Sequence, residues 1–205
     1  LANEIAHQNT VLLQTTMGAV AVTEQAIVNE AHRRGMIVPG RKYRDKDAEP
    51  VTAAGAYVAT PKKGLHNWIG SIDINSLYPS VIRALNMGPE TIVGQIRPVI
   101  TSAEINRARH AKKSFAAAWD NQFGSWEYQA VMAKERGTEI IVDWSDGTSV
   151  RMSAAQLYDV IFEGNNKWMI SANGTIFTYE QEGIIPGLLK RWYAERKEMQ
   201  RKMHD

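Results

Sequence analysis

The chain has 205 residues, and 24 basic side chains against 22 acidic ones leave it nearly neutral, so the whole-chain field gives no reason to expect a polyanion partner and any nucleic-acid surface must be local. The absence of cysteine excludes disulfides and thiolate metal sites. No apolar run is long enough to cross a bilayer and the first residues lack the order of a signal peptide, so the simplest expectation is a soluble cytoplasmic protein with no membrane partner.

Residues 1–50 read as helix followed by a connector. Val22 and Ile27 bracket Thr23 in the spacing of a hydrophobic staple, which predicts a helix from there through Ala31 that ends near Gly35. The charged stretch from Arg41 to Pro50 is too polar to pack and predicts a surface loop. Its bases Arg41, Lys42, Arg44 and Lys46 can be read as nucleic-acid phosphate contacts or as a solvated linker, and the second reading is favoured because Asp45, Asp47 and Glu49 offset their charge. Next, Gly55 and Ala56 either let a backbone pass close to another object or serve a strand bulge.

The segment from Ile69 to Pro89 carries most of the information. Trp68 to Ile74 reads as a short strand in which Ile72 and Ile74 flank Asp73, leaving the carboxylate on the face opposite its apolar neighbours. Asn75 and Ser76 offer N-cap side chains. Pro79 suits a first helical turn, Val81, Ile82 and Leu85 give an apolar face, and Gly88 is expected to stop the helix. Free N–H groups around Ser76, Leu77 and Tyr78, with the positive end of the helix dipole, favour a triphosphate, and Asp73 can hold its divalent cation.

From Gln95 onward the elements are small. Thr101 with Glu104 has the spacing of a capping box ahead of a helix carrying Ile105, Ala108, Phe115 and Trp119, and the basic group Arg107, Arg109, Lys112 and Lys113 reads as a solvated face. Glu139 to Trp144 and Thr148 to Met152 predict a hairpin turning at Ser145, Asp146 and Gly147, and Ser153 with Gln156 caps a helix through Ile161. Trp168 to Ile170 and Thr175 to Phe177 predict a second hairpin with Asn173 and Gly174 as a two-residue turn.

The last helix opens near Pro186, with an apolar stripe of Ile185, Leu188, Leu189, Trp192, Met199 and Met203 at helical spacing. Arg196 interrupts that stripe. A guanidinium on a covered face needs a partner, which leaves an anionic ligand or a snorkelling side chain as its two readings.

The run Asp73, Ile74, Asn75, Ser76, Leu77, Tyr78, Pro79, Ser80 resembles the DxxSLYPS motif A of family B DNA polymerases, and the following Pro89, Glu90, Thr91 and Ile92 narrow the resemblance to replicative polymerases of T-even-like phages. Glu182 to Pro186 and Glu195 to Lys197 are similar to the opening of that family's fingers helix. The resemblance implies an α+β fold: part of a palm, an antiparallel sheet with packed helices, together with the end of the exonuclease region and the first fingers helix. The corresponding divisions are residues 1–50, exonuclease tail and linker; 51–182, palm part with motif A and an inserted α/β stretch at about 97–163; and 183–205, start of the fingers.

The resemblance also implies an activity, DNA-templated transfer of a nucleotidyl group from a dNTP to a primer 3′-hydroxyl in phage DNA replication, using two Mg²⁺ ions. In that scheme Asp73 and the backbone carbonyl of Ile74 are metal ligands, Ser76, Leu77, Tyr78 and Arg196 bind nucleotide, and Tyr78 lies beneath the sugar. Gly55 and Ala56 lie beside DNA, although Ala53 stands where the family has a tyrosine, and Gln200 stands where it has a second phosphate-binding lysine. The family's later D-T-D and KxxxNSxYG patterns do not occur in these residues. A chain that opens at Leu1 and stops inside a helical pattern reads as an internal piece, inactive alone. Its implied partners are primer-template DNA, dNTP, the remainder of the polymerase as covalent continuation or second subunit, and a sliding clamp, in the cytoplasm of an infected bacterium. A subunit of a split polymerase and a noncatalytic DNA-binding remnant are the alternatives.

Overall fold

A computed structural model describes residues 1–40, 60–111 and 123–204. The charged loop at 41–50, Gly55, Ala56, Lys112, Lys113, Phe115 and Trp119 lie outside the described residues. The chain divides into two compact units, Leu1–Asn75 and Ser76–Asp205.

In the first unit, helix α1 (Ala2–Asn9) is followed by a 3₁₀ turn (Leu13–Met17) and helix α2 (Ala19–Arg33). The Asn29 amide donates to the carbonyls of Asn9 and Thr10 at 3.1 and 3.0 Å, and so ties the end of α1 to α2. Helix α2 starts ahead of the staple spacing, at a Gly18 cap, and Thr23 lies inside it, with its hydroxyl on the Ala19 carbonyl at 2.9 Å. A hydroxyl that finds a carbonyl one turn back no longer has to cap, so the helix runs through it. The predicted end is observed: Gly35 takes a left-handed φ of 73°, and Met36 N–H reaches the Ala31 carbonyl at 2.9 Å. Further on, residues 68–74 form no strand. Trp68 has a φ of 60°, and Trp68, Ile69, Ile72 and Ile74 are exposed. A strand is a property of a pair, and among the described residues none pairs with this segment.

The second unit opens with helix α3 (Leu77–Ala84), followed by strand β1 (Ile92–Ile96), helices α4 (Val99–His110) and α5 (Trp126–Met132), strands β2 (Glu139–Trp144) and β3 (Ser149–Ser153) and helix α6 (Ala154–Tyr158). Strands β4 (Trp168–Ile170) and β5 (Thr175–Thr178) and the long helix α7 (Ile184–His204) complete it. The sheet is antiparallel in the order β3-β2-β1-β5-β4, with Gln95 opposite Asp143 and Met169 opposite Phe177. Mixed helices with an antiparallel sheet agree with the α+β expectation.

Alternation decides which face is covered. Ile140 and Val142 of β2 point with Ile96, Ile170 and Ile176 into a core closed by Val131, Ala154, Leu157 and Ile161, all nearly inaccessible. Gly94 of β1 faces Trp144, whose ring lies 2.8 Å from where a Cβ would sit, so only glycine leaves that indole its place beside Trp168. On the opposite face Arg97 grips Asp143 through two hydrogen bonds of 3.1 and 2.6 Å.

Both hairpins form where predicted. The second has a three-residue loop, Ala172 to Gly174, because Ser171 and Thr175 still bond across it at 2.8 Å and Gly174 supplies the left-handed residue, φ 86°. The capping box of Ser153 and Gln156 is observed in both directions, at 3.2 and 2.8 Å. The one expected at Thr101 is not. Helix α4 begins at Val99, Glu104 pairs with Arg107, and the Thr101 N–H is taken at 3.0 Å by Glu127, whose carboxylate also accepts the Thr101 hydroxyl. Arg107 and Arg109 are exposed, as a solvated face requires. No described helix is long and apolar enough to cross a membrane.

Candidate nucleotide site

Asp73 lies two residues before the end of the first unit. Its carboxylate is exposed and makes no hydrogen bond or ion pair among the described residues, and Ile74 beside it is exposed as well. Among those residues no group of three histidine, aspartate or glutamate side chains gathers as a metal cluster. Asp73 and the Ile74 carbonyl are nevertheless hard oxygen donors of the kind Mg²⁺ takes, and the octahedral demand of that ion leaves its other positions to water, phosphate and further carboxylates.

In the second unit, Ser76 caps α3 through backbone geometry alone. It sits in the left-handed region at φ 56°, its carbonyl accepts Ser80 N–H at 2.9 Å, and its side chain makes no cap bond. The N-cap expected from its hydroxyl is thus absent, because a left-handed residue turns its side chain away from the first N–H groups, whereas a side-chain cap needs extended backbone. The first N–H groups of α3 have no partner within the helix. Leu77 and Tyr78 stand exposed on this turn, so their side chains are not spent on packing.

The helix stops at Asn86, earlier than Gly88. Asn86 adopts a left-handed φ of 51°, its N–H reaches the Arg83 carbonyl at 3.3 Å, and Met87 N–H reaches Ile82 at 2.9 Å. Asparagine tolerates that conformation and so can end a helix as glycine does.

Helix α3 packs against α7. Between their ends lies an open cleft of about 460 Å³ lined by Arg83, Asn86, Tyr179, Glu182 and Lys190, in which Lys190 pairs with Glu182 at 3.0 Å. Burial pushes the Tyr179 hydroxyl above its ordinary pKa of 10.0. Arg196 lies farther along α7. Ile184 and Leu188 are buried and Trp192 is half-buried, but from Arg196 onward every described side chain is exposed, Met199 and Met203 included. The apolar stripe therefore outruns the surface it covers, and Arg196 is not on a buried face. Its guanidinium forms no ion pair among the described residues, which leaves it available to an anion by exposure and not by the cost of burial.

The family model for DNA polymerase family B matches residues 10–205. The chain belongs to DNA polymerase family B. Over 187 residues this family B chain is 24% identical to the DNA-directed DNA polymerase of Enterobacteria phage T4, an alignment taking in 91% of the chain and 15% of the phage protein. It is 27% identical to the corresponding polymerase of Escherichia phage RB69 over 47% of the chain and 10% of that protein. It is 32% identical to DNA polymerase 2 of Aeropyrum pernix over 52% of the chain and 13% of that protein. The resemblance to T-even phage polymerases is thereby borne out. The family B chain spans about 15% or less of the length of these relatives. No solved structure matches it.

Residues that the sequence pattern did not mark as functional emerge at the α3–α7 junction: Asn86 and Glu90, which bond the connector leading into α7, and Tyr193, over which Arg83 lies. Asn86 and Tyr193 carried no signal in the sequence reading, which put the helix end at Gly88, and Glu90 stood there only within the Pro89 to Ile92 run that narrowed the resemblance.

Proposed function

We propose that this chain forms part of a DNA-templated DNA polymerase and contributes a metal-binding acid and triphosphate contacts to nucleotidyl transfer. The observation that carries the reading is the exposed Asp73, unpaired among the described residues and just ahead of α3, within a motif A run that lies inside the family match to residues 10–205.

In the reaction the oxygen of a primer 3′-hydroxyl forms a bond to the α-phosphorus of a dNTP and gives up its proton to solvent, the bond from that phosphorus to the bridging oxygen breaks, and pyrophosphate leaves. Bound Mg²⁺ ions, two in the family scheme, supply charge stabilisation to the attacking and leaving oxygens. Asp73 and the carbonyl of Ile74 would hold metal, together with acids outside this chain. The amides of Ser76, Leu77 and Tyr78 donate to phosphate oxygens, Arg196 offsets charge on the leaving pyrophosphate, and Tyr78 lies under the sugar. The antiparallel sheet reads as palm, α7 as the first fingers helix, and residues 1–50 as exonuclease tail. Gly55 and Ala56 lie beside DNA. Primer-template DNA, dNTP, the remainder of the polymerase, whether continuous with this chain or a second subunit, and a sliding clamp are its partners, in the cytoplasm of a phage-infected cell. Alone the chain is inactive.

The test is primer extension by this chain joined to, or mixed with, the remainder of the polymerase. Extension abolished by Asp73→Asn supports the reading. Extension that survives it removes Asp73 from the chemistry, and no extension by the wild-type assembly leaves a noncatalytic DNA-binding remnant.

A further inference from the structure

Asn86 is nearly inaccessible, and the three hydrogen bonds of its carboxamide go to one stretch of chain. Its Nδ2 donates to the carbonyls of Thr178 and Gln181 at 2.7 and 2.8 Å, and its Oδ1 accepts the Gly183 N–H at 2.9 Å. Thr178 ends β5, and Gln181 and Gly183 belong to the connector from it into α7. The next amide, Ile184 N–H, at the start of α7, is taken by the carboxylate of Glu90. Glu90 lies on the 3₁₀ turn Pro89–Thr91 that follows α3, and Gln181 reaches back to its carbonyl at 3.3 Å. The turn itself is closed onto Asn86, since the Thr91 hydroxyl donates to the Asn86 carbonyl at 2.6 Å. Gly88 leaves the space, because a Cβ there would meet the Glu90 carboxylate at 2.8 Å. Two consecutive N–H groups at the start of α7 are thus met by side chains from just past the end of α3 and from the turn that follows it, and one of them brings negative charge to the positive end of the helix dipole.

We propose that Asn86 and Glu90 are positioning residues for Arg196: they clamp the root of α7 to the end of α3, so that the helix carrying Tyr78 and the helix carrying Arg196 keep one mutual register. This rests on the nucleotide-binding roles proposed above for Tyr78 and Arg196. Farther along, Arg83 of α3 lies over the Tyr193 ring of α7 at 5.2 Å, one turn before Arg196. A long exposed helix is aimed by its root, and a small rotation there is magnified along the helix axis.

The clamp is tested first in the 205-residue chain by amide hydrogen exchange. Asn86→Gly keeps the left-handed helix end while removing the carboxamide. It is expected to speed exchange at Gly183 and Ile184 by about tenfold or more while Ile96 and Val142 in the sheet stay protected. Unchanged exchange at Gly183 and Ile184 overturns the clamp. If the sheet amides also lose protection, the fold has suffered, and Glu90→Ala beside Glu90→Gln takes over. Only the first of these removes the acceptor, so only the first should expose Ile184.

The positioning role is read in the polymerase that contains this chain, with Arg196→Ala as the benchmark. Asn86→Gly and Glu90→Ala are expected to raise the KM for dNTP by about tenfold with kcat changed less than about threefold, and Glu90→Gln should restore the wild-type KM. A shift with Arg196→Ala but none with Asn86→Gly or Glu90→Ala overturns the positioning role alone. No shift with Arg196→Ala removes the triphosphate contact itself, and the positioning role falls with it.

Discussion

The Arg83 guanidinium lies 5.2 Å from the centre of the Tyr193 ring, and the Lys197 ammonium approaches the same ring at 5.7 Å. One aromatic side chain of α7 thus receives a cation from α3 and one from its own next turn. An exposed cation over a tyrosine is worth about 0.5–1 kcal/mol, so a double-mutant cycle of Arg83→Met and Tyr193→Leu, followed by urea unfolding, should give a coupling of about that size. Additive effects of the two substitutions would assign the α3–α7 contact to apolar packing alone.

Two acids compete for the role of capping α4. Glu127 is nearly inaccessible and takes both the N–H and the hydroxyl of Thr101, whereas Glu104 is half-exposed and spent on Arg107. Glu127→Ala should therefore cost about 1–3 kcal/mol by leaving buried donors unpaired, and Glu104→Ala less than about 0.5 kcal/mol. Urea midpoints of the two variants check this, and the reverse order would restore the local capping box.

That pair shows where the sequence stops being readable. Local signals were legible wherever the partner lay a few residues away: the Ser153 and Gln156 box, the Gly35 helix end and both hairpins follow from short spacings. Thr101 and Glu104 have the spacing of a box as well, but a distant carboxylate wins the N–H, and no local pattern announces a bond across 26 positions. The strand expected at residues 68–74 failed for the same reason, since alternation states only that a strand could form. At the candidate site the motif marked Asp73, Tyr78 and Arg196 by resemblance. Asn86 went unmarked because its three side-chain bonds span more than 90 positions. The stripe of α7 misled at its end, where periodicity continued past the surface that could cover it.

Helix α2 carries a pH dependence of defined sign. Hydrogen bonds from Arg33, then Arg34, outweigh desolvation and hold the Glu30 carboxyl at about 2, against an ordinary value of 4.5. A depressed carboxylate stabilises the folded state above its unfolded pKa and loses that contribution as pH falls through its folded value. The first unit should therefore lose about 1–2 kcal/mol between roughly pH 4.5 and pH 2, a figure reduced for the solvent exposure of Arg33. Glu30→Gln should flatten the acid limb of helical circular dichroism, and an unaltered limb would place the acid sensitivity elsewhere.

Tyr78 offers a test of sugar selection. Its side chain is 69% exposed on the first turn of α3, so its removal should leave the fold intact. In the complete polymerase, Tyr78→Ala is expected to reduce discrimination against ribonucleotides by at least about tenfold, since removing a steric wall relieves a cost borne only by the 2′-hydroxyl. Competition between deoxy and ribo substrates measures it, and an unchanged ratio would leave Tyr78 without the gate role.

Gln200 follows Arg196 by one helical turn, and both are exposed, so side chains at these two positions stand on the same face of α7. If Arg196 meets the triphosphate, a cation one turn farther on should share it. Gln200→Lys adds such a charge at the cost of no buried contact, and an exposed charge pair contributes about 1 kcal/mol, which corresponds to a KM for dNTP lowered about fivefold at low salt. The gain should shrink as ionic strength rises and vanish in the Arg196→Ala background if the two cations act on one phosphate chain. A gain that persists without Arg196 would mean that position 200 attracts template or primer phosphates instead of the nucleotide.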